Sequence, residues 1–299
     1  MRIGLYDIDS AIPNLALMRI SAWHKANGDS TELYIPLLHE TYDKVYASSI
    51  FDFSDKSYVQ DDMIIGGTGI DIKTVLPPEI DQMDPDYSLY DFKHNLGFAM
   101  RGCRFKCGFC VVPRKEGKAH SVSSIKQLIT NPSGSRFLIL LDNDFFGGDW
   151  ESAIAEILDL DLEVNFNQGI NARILSERQA QALGKVKFRN TRNTDRKLTI
   201  AWDQINDEKT VMRGVQRLMD AGIKPRYIQC YVLIGYDSSH DEDMYRVMTL
   251  RKLGIDPYVM PFDKSNTYQR RFTRWVNNRI IFKSCSWKDY TTEKSKIAS

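Results

Sequence analysis

Three cysteines lie close together in the segment AMRGCRFKCGFC, and they form the pattern in this chain with the clearest chemistry. Cys103, Cys107 and Cys110 follow the spacing C-x3-C-x2-C. Thiolates on one short loop bind zinc or iron–sulfur clusters, because soft sulfur ligands prefer these metals. Three thiolates on a four-iron cluster leave one iron without a protein ligand, and an open coordination position permits chemistry there.

The alternative is a zinc knuckle in which a histidine, His94 or His120, completes the ligand set. The chain has no second C-x2-C or H-x3-H pair beside the loop, so the pattern favours iron and sulfide over zinc. Basic residues flank the loop and favour the thiolate form of the cysteines: Arg101, Arg104 and Lys106.

An aromatic residue, Phe109, precedes the last cysteine, and with it the loop resembles the signature of the radical S-adenosylmethionine superfamily. The resemblance implies that the three cysteines hold a 4Fe-4S cluster whose open iron chelates S-adenosylmethionine. It also implies reductive cleavage of that cofactor to a 5'-deoxyadenosyl radical, with electrons from a reductase or a flavodoxin-type donor. The substrate stays unidentified among small molecules, peptides and nucleic acids, and no catalytic side chain is assigned.

The segments around this loop alternate between strand and helix patterns. Six strands are predicted, at 97–100, 137–141, 163–166, 198–202, 227–234 and 258–260. Five helices are predicted, near 123–129, 150–158, 177–183, 208–221 and 241–253. This order predicts an α/β fold with parallel strands, a partial (β/α)6 TIM-like barrel over residues 95–262, with functional residues at the carboxyl ends of the strands.

Residues at the ends of four of these strands, together with Phe109, contact S-adenosylmethionine if the resemblance holds. They are Asp142, Asn143 and Asp144 at the second strand, Asn165 and Gln168 at the third, Asp203 at the fourth, and Ile234 and Gly235 at the fifth. Asn167 and Asn171 belong to the same cluster of amides at the third strand. The resemblance implies that Asp203 accepts hydrogen bonds from the ribose hydroxyls and that Ile234 and Gly235 contact the adenine. For each polar residue a helix N-cap or a turn is an equal alternative.

Residues 1–76 predict a separate, small Rossmann-like α/β domain. A first strand, MRIGLYDID, precedes a helical pattern that ends at Gly28, and three more strand patterns follow. Residues 77–94 contain Pro77, Pro78 and Pro85 and are interpreted as a linker without regular structure.

This first domain resembles a shortened cobalamin-binding domain, with IIGGTG similar to its late glycine turn. The cobalt-ligating D-x-H-x-x-G loop of that family is missing, since none of His24, His39 and His94 stands in the pattern. The sequence therefore disfavours cobalamin and favours a scaffold or substrate-gating role.

Composition limits the remaining classes. The 299 residues have a formal net charge of +1, no apolar run long enough to cross a membrane and no secretory signal pattern. Five cysteines, three of them in one loop, suit a reducing cytoplasm. Only Cys230 and Cys285 lie elsewhere, which argues against a second cluster, and Cys230 is interpreted as core packing.

Residues 263–299 form a basic and aromatic extension. Between Lys264 and Lys288 there are seven basic residues and no acidic ones. This pattern is compatible with a nucleic-acid surface, as in a non-catalytic zinc or iron–sulfur module that binds nucleic acid. The favoured interpretation is a final helix that buries Phe272, Trp275 and Ile280 and leaves Arg271, Arg274 and Arg279 solvated.

Overall fold

The computed structural model describes residues 1–290, and the chain divides into two compact units. The first unit is Met1–Ile139, and the second begins at Leu140. Both units combine helices with parallel strands, so the predicted α/β class is confirmed. The domain boundaries predicted from the sequence follow the order of strand and helix patterns, whereas the two units are defined by compactness. The predicted boundaries therefore stay predictions.

Four parallel strands form the sheet of the first unit, in the order β2-β1-β3-β4. Their bounds are β1 Arg2–Asp7, β2 Ser30–Leu33, β3 Lys44–Ser48 and β4 Ile64–Gly66. Helix α1, Leu15–Ala26, follows β1 and begins at Asn14, whose side chain accepts hydrogen bonds from the next turn. Leu17 and Ile20 of this helix pack on Ile3 and Leu5 of the central strand.

A short helix, α2 (Pro78–Asp81), lies where the sequence predicted a linker without regular structure, so that prediction was wrong for these residues. Proline suits the first position of a helix, because its missing N–H is not needed there and its φ is already helical. A 3-10 turn, Tyr87–Tyr90, follows in the same segment.

The cysteine loop follows β5 Asn95–Gly97 and β6 Met100–Arg101 and leads into helix α3 Val112–Lys115 and β7 His120–Ser121. The next strand is β8 Phe137–Leu140, and the division between the two units falls within it. The predicted strand 97–100 is therefore two strands. The chain bends at Ala99, after which β6 pairs antiparallel with β7, whereas β5 lies beside β8.

The predicted helix at 123–129 was also wrong, since only a 3-10 turn, Lys126–Leu128, forms there. Pro132 disfavours helical backbone at Asn131, so the turn cannot continue as a helix beyond that residue.

The second unit contains five parallel strands and six helices within the described residues. The strands are β9 Glu163–Phe166, β10 Lys187–Phe188, β11 Leu198–Ala201, β12 Ile228–Ile234 and β13 Asp256–Pro261. The helices are α4 Trp150–Asp159, α5 Glu177–Lys185, α6 Glu208–Asp220, α7 His240–Lys252, α8 Thr267–Asn277 and α9 Arg279–Ser284. β9 pairs with β10, and β12 lies between β11 and β13.

Up to residue 290 the basic and aromatic segment forms two helices rather than one, because Asn278 caps α9 directly after α8. Its last part, 291–299, lies outside the described residues. Phe272 and Trp275 are buried, as the structural interpretation predicted. Ile280 is 80% exposed, so its predicted burial was wrong, and Phe282 is the buried residue of α9 instead. Because the helix breaks at Asn278, the buried face of α9 does not continue the buried face of α8. Within residues 1–290, no helix has the length and apolar character that a membrane span requires.

Candidate functional site

The cysteine loop begins with a turn that only glycine permits. Gly102 has φ +75°, and a Cβ atom there would lie 2.3 Å from the carbonyl oxygen of Lys118. The Gly102 N–H donates to the Glu116 carboxylate at 2.9 Å, and the Cys103 N–H donates to the Gly117 carbonyl at 3.2 Å. These contacts close the segment between 102 and 117 into one loop at its base.

The three cysteines lie within this loop with partly exposed side chains. The N–H of Phe105 points at the Cys103 sulfur, 3.4 Å away, and the N–H of Cys110 donates to the Cys107 carbonyl at 3.0 Å. Backbone donors at a cluster sulfur stabilise its negative charge and tune the cluster potential. Phe109 is also half-buried.

Within residues 1–290, no three His, Cys, Asp or Glu side chains are gathered as the ligand group of a single metal ion. The two histidines of the zinc alternative make contacts of their own. His94 lies 3.1 Å from the Ser135 hydroxyl, and its ring packs edge-on against Phe137. Burial lowers the pKa of the His94 ring. His120 Nδ1 lies 2.8 Å from the Lys118 carbonyl, so it is the protonated nitrogen.

The donor set of the loop fits a four-iron cluster with three cysteine ligands. Each thiolate of such a cluster ligates a different iron, so the three sulfurs surround the cluster rather than converge on one ion. Cys103, Cys107 and Cys110 supply three thiols that share one closed loop and remain partly exposed. Cys230, by contrast, is fully buried on β12, and burial raises the pKa of its thiol well above the ordinary value. It packs in the core, as predicted.

The candidates near the start of the second unit are mostly buried. Asp142 and Asp144 are 4% and 3% exposed, and Asn143 is half-buried. Asp144 precedes a 3-10 turn, Phe145–Gly147, but its side chain makes no capping hydrogen bond. The N-cap alternative therefore does not explain the aspartate at this position.

The amides in and after the end of β9 have structural roles in most cases. Asn165 donates to the Arg189 carbonyl at 2.8 Å, and the Thr191 hydroxyl lies 3.3 Å from the side-chain oxygens of both Asn165 and Asn167. Asn171 accepts from the Arg173 N–H as an N-cap, so the capping alternative is confirmed for this residue. Gln168 is exposed.

Asp203 lies two residues after the end of β11, and its side chain is half-buried. Burial raises the pKa of this carboxyl, although Arg173, Arg246 and a hydrogen bond from the Leu233 N–H all favour its charged form. Asp203 thus presents a carboxyl group in a partly dry, cationic environment, which suits the binding of hydroxyl donors.

A buried ion pair on α7 holds the backbone at this strand end. Asp243 and Arg246 are both 0% exposed and lie 2.8 Å apart. The Arg246 guanidinium donates to the carbonyls of Trp202 and Asp203 at 3.0 and 2.7 Å, and Ser238 donates to Asp243 at 2.6 Å. Sequence reasoning missed both residues of the pair, and their spacing of three on one helix was the available signal.

Gly235 directly follows β12. Its φ of +77° is left-handed, as expected for a glycine in a turn. The side chain of Gln269, from α8, occupies the place where a Cβ atom of residue 235 would lie, with its Nε2 1.9 Å from that position. The close approach at this glycine is therefore to Gln269, and adenine binding by Ile234 and Gly235 stays a prediction. Ile234 is fully buried.

The aromatic residues of α8 and α9 pack on one another. Tyr268 stacks on His240 with ring centroids 3.4 Å apart, and Phe272, Trp275 and Trp287 continue the cluster. Arg274 and Arg279 are exposed, as the structural interpretation predicted. Arg271 is half-buried instead, so the prediction that it is solvated was wrong.

Comparisons of the chain with protein-family models, with curated proteins and with solved structures found no significant match.

Proposed function

We propose that this protein is a radical S-adenosylmethionine enzyme whose 4Fe-4S cluster is held by Cys103, Cys107 and Cys110. The observation that carries the proposal is the C-x3-C-x2-C set of partly exposed thiols on one loop closed at its base. When bound, the cluster supplies the electron that cleaves S-adenosylmethionine to methionine and a 5'-deoxyadenosyl radical. The substrate on which that radical acts stays open.

The chain's own residues have separate tasks in this proposal. Gly102 and Glu116 hold the loop closed, and the Phe105 N–H stabilises the Cys103 sulfur. Asp203 accepts hydrogen bonds from the ribose hydroxyls, and the Asp243–Arg246 pair positions the backbone that carries it.

The remaining cofactor contacts are proposed from the resemblance alone. They are Phe109, Asp142, Asn143, Asp144, Asn165, Gln168, Ile234 and Gly235.

The proposal includes the finer fold and the setting of the enzyme. A partial (β/α)6 barrel is supported by the alternation of parallel strands and helices along the chain. An external reductase or flavodoxin-type protein supplies the electron, and a reducing cytoplasm keeps the thiols available. Cobalamin is not included, because the D-x-H-x-x-G pattern is missing.

Anaerobic reconstitution with iron and sulfide tests the function directly. We expect about four irons per chain and, with dithionite, release of 5'-deoxyadenosine from S-adenosylmethionine. The variant Cys107→Ala should lose the intact cluster and the product, because one ligand is gone.

Cys285→Ala is the matched control, since Cys285 is also a half-buried cysteine but lies outside the loop. It should keep both the iron and the activity. Tight binding of zinc in place of the cluster, or product release by Cys107→Ala, would contradict the proposal.

A further inference from the structure

The first unit contains a cleft of about 690 Å³ for which the proposed function gives no role. All of its lining residues lie between Arg19 and Thr130, and they include Asp81, Arg101 and Gln127. Clefts of about 300–1,000 Å³ are the usual size for small-molecule sites. The volume therefore admits a metabolite rather than a single water or ion.

Two arginines in this cleft share one carboxylate oxygen. Arg19 Nη1 lies 2.5 Å from Asp81 Oδ1, and Arg101 Nη2 lies 3.4 Å from the same oxygen. The side chains of Arg19 and Arg101 are 14% and 30% exposed, so neither charge is fully hydrated. One carboxylate oxygen cannot satisfy both guanidinium groups, each of which carries five N–H donors.

The positive charge of Arg101 is less compensated by nearby carboxylates than that of Arg19. Arg19 has a second carboxylate, Asp84, close enough to favour its charge. Arg101 also lies near Lys115. Burial lowers the pKa values of Arg19 and Lys115, and the charge of Arg101 adds to this lowering. Lys115 has Glu116 and Asp71 nearby, whereas Arg101 has the shared, long contact with Asp81. An anion would find its best partner at Arg101.

The rest of the lining favours a polar ligand with a planar or apolar part. Gln82, Gln127 and Ser123 supply neutral hydrogen-bonding groups. The ring of Phe98 lies under the Arg101 guanidinium, with 4.7 Å between the guanidinium carbon and the ring centroid. The ring supports the guanidinium carbon, and the N–H groups of Arg101 other than the one at Asp81 can donate to the oxygen atoms of an acidic group.

We infer that this cleft binds a small polar molecule through a carboxylate or phosphate group that docks on Arg101. The inference goes beyond the proposed function and does not rest on it, because the site needs neither a cluster nor S-adenosylmethionine. Charge-assisted hydrogen bonds to the acidic group replace the missing acceptors of the two arginines.

The test uses the full chain before iron is added, so it is independent of the cluster. Inorganic phosphate and succinate serve as the probes, each titrated by calorimetry and by NMR at constant ionic strength with chloride as balance. We expect saturable millimolar binding of at least one probe, and the tighter one identifies the acidic group. Arg101→Gln should weaken that binding about tenfold, because one charge-assisted contact is lost.

Gln127→Glu is the second variant, and it keeps the test valid if Arg101→Gln folds poorly. Gln127 is exposed in the cleft, so a carboxylate there repels the probe without removing an ion pair. Arg114→Gln is the matched control, since Arg114 is an exposed arginine of the same unit outside the lining. Absence of saturable binding for both probes, or equal weakening by Arg114→Gln and Arg101→Gln, would overturn the inference.

Discussion

The cysteine loop and the carboxyl end of β11 are both candidate sites, but different forces hold them. In the loop, glycine turns and backbone hydrogen bonds set the geometry, and most side chains stay half-exposed or exposed. At the end of β11, a fully buried ion pair from a helix more than forty residues away holds the chain. The loop is a local structure, whereas the strand end depends on the packed core of its unit.

Because the two sites are held differently, we expect substitutions at each of them to have different consequences. A change in the loop should affect metal binding more than the stability of the whole chain, because few core contacts depend on the loop. A change in the buried pair should affect the stability of the unit first, because an unpaired charge would remain in its interior.

Asp243→Ala should give the largest effect on stability. It leaves the Arg246 guanidinium buried without its carboxylate, which costs about 3–5 kcal/mol of the free energy of unfolding. Urea denaturation followed by circular dichroism measures this change. Glu151→Ala is the control, because the Glu151–Arg178 pair is exposed and such pairs contribute at most about 1 kcal/mol. Equal losses of unfolding free energy in the two variants would show that the buried pair contributes no more to stability than an exposed one.

Gly102→Ala should come next, with a loss of about 2–4 kcal/mol and of most of the reconstituted iron. The substitution combines left-handed backbone strain with a clash against the Lys118 carbonyl. Gly117→Ala is the matched control, since Gly117 has the same φ of +75° but open space around its Cβ position.

The control should lose only about 1 kcal/mol and keep its iron. Iron content by colorimetric assay and urea denaturation report the two quantities separately. A Gly102→Ala variant that holds a full complement of iron would show that closure of the loop at its base does not matter for the metal.

Asp203→Asn should give the smallest effect, visible as a pH dependence. Because burial raises the pKa of the Asp203 carboxyl in the folded chain, its protonated form favours folding below the ordinary value of 3.8. That contribution is lost as pH rises through the folded pKa. The asparagine does not titrate, so the variant should gain stability relative to the natural chain as pH rises through this window.

Urea denaturation of both chains at a series of pH values from about 4 to about 7 measures this difference. A difference that stays constant with pH, or that changes in the opposite direction, would show that the pKa of the folded Asp203 carboxyl is not raised.

Much of the second unit follows from local patterns. The strand at 163–166 was predicted to the residue, and helices α4, α6 and α7 lie within one residue of their predicted bounds, because periodicity and capping residues act over a few positions. The errors came from competing local rules. Pro78 begins a helix rather than preventing one, and Asn278 ends a helical face that would otherwise have buried Ile280.

The donors of the candidate metal site were determined by sequence alone, since the spacing of Cys103, Cys107 and Cys110 is itself a covalent fact. Only the tertiary structure brought Arg246 to the backbone of Asp203 and placed Arg19 and Arg101 on one oxygen of Asp81. These contacts join residues about 20 to 60 positions apart. Such pairs leave no periodic pattern in the chain, because packing rather than local geometry selects them.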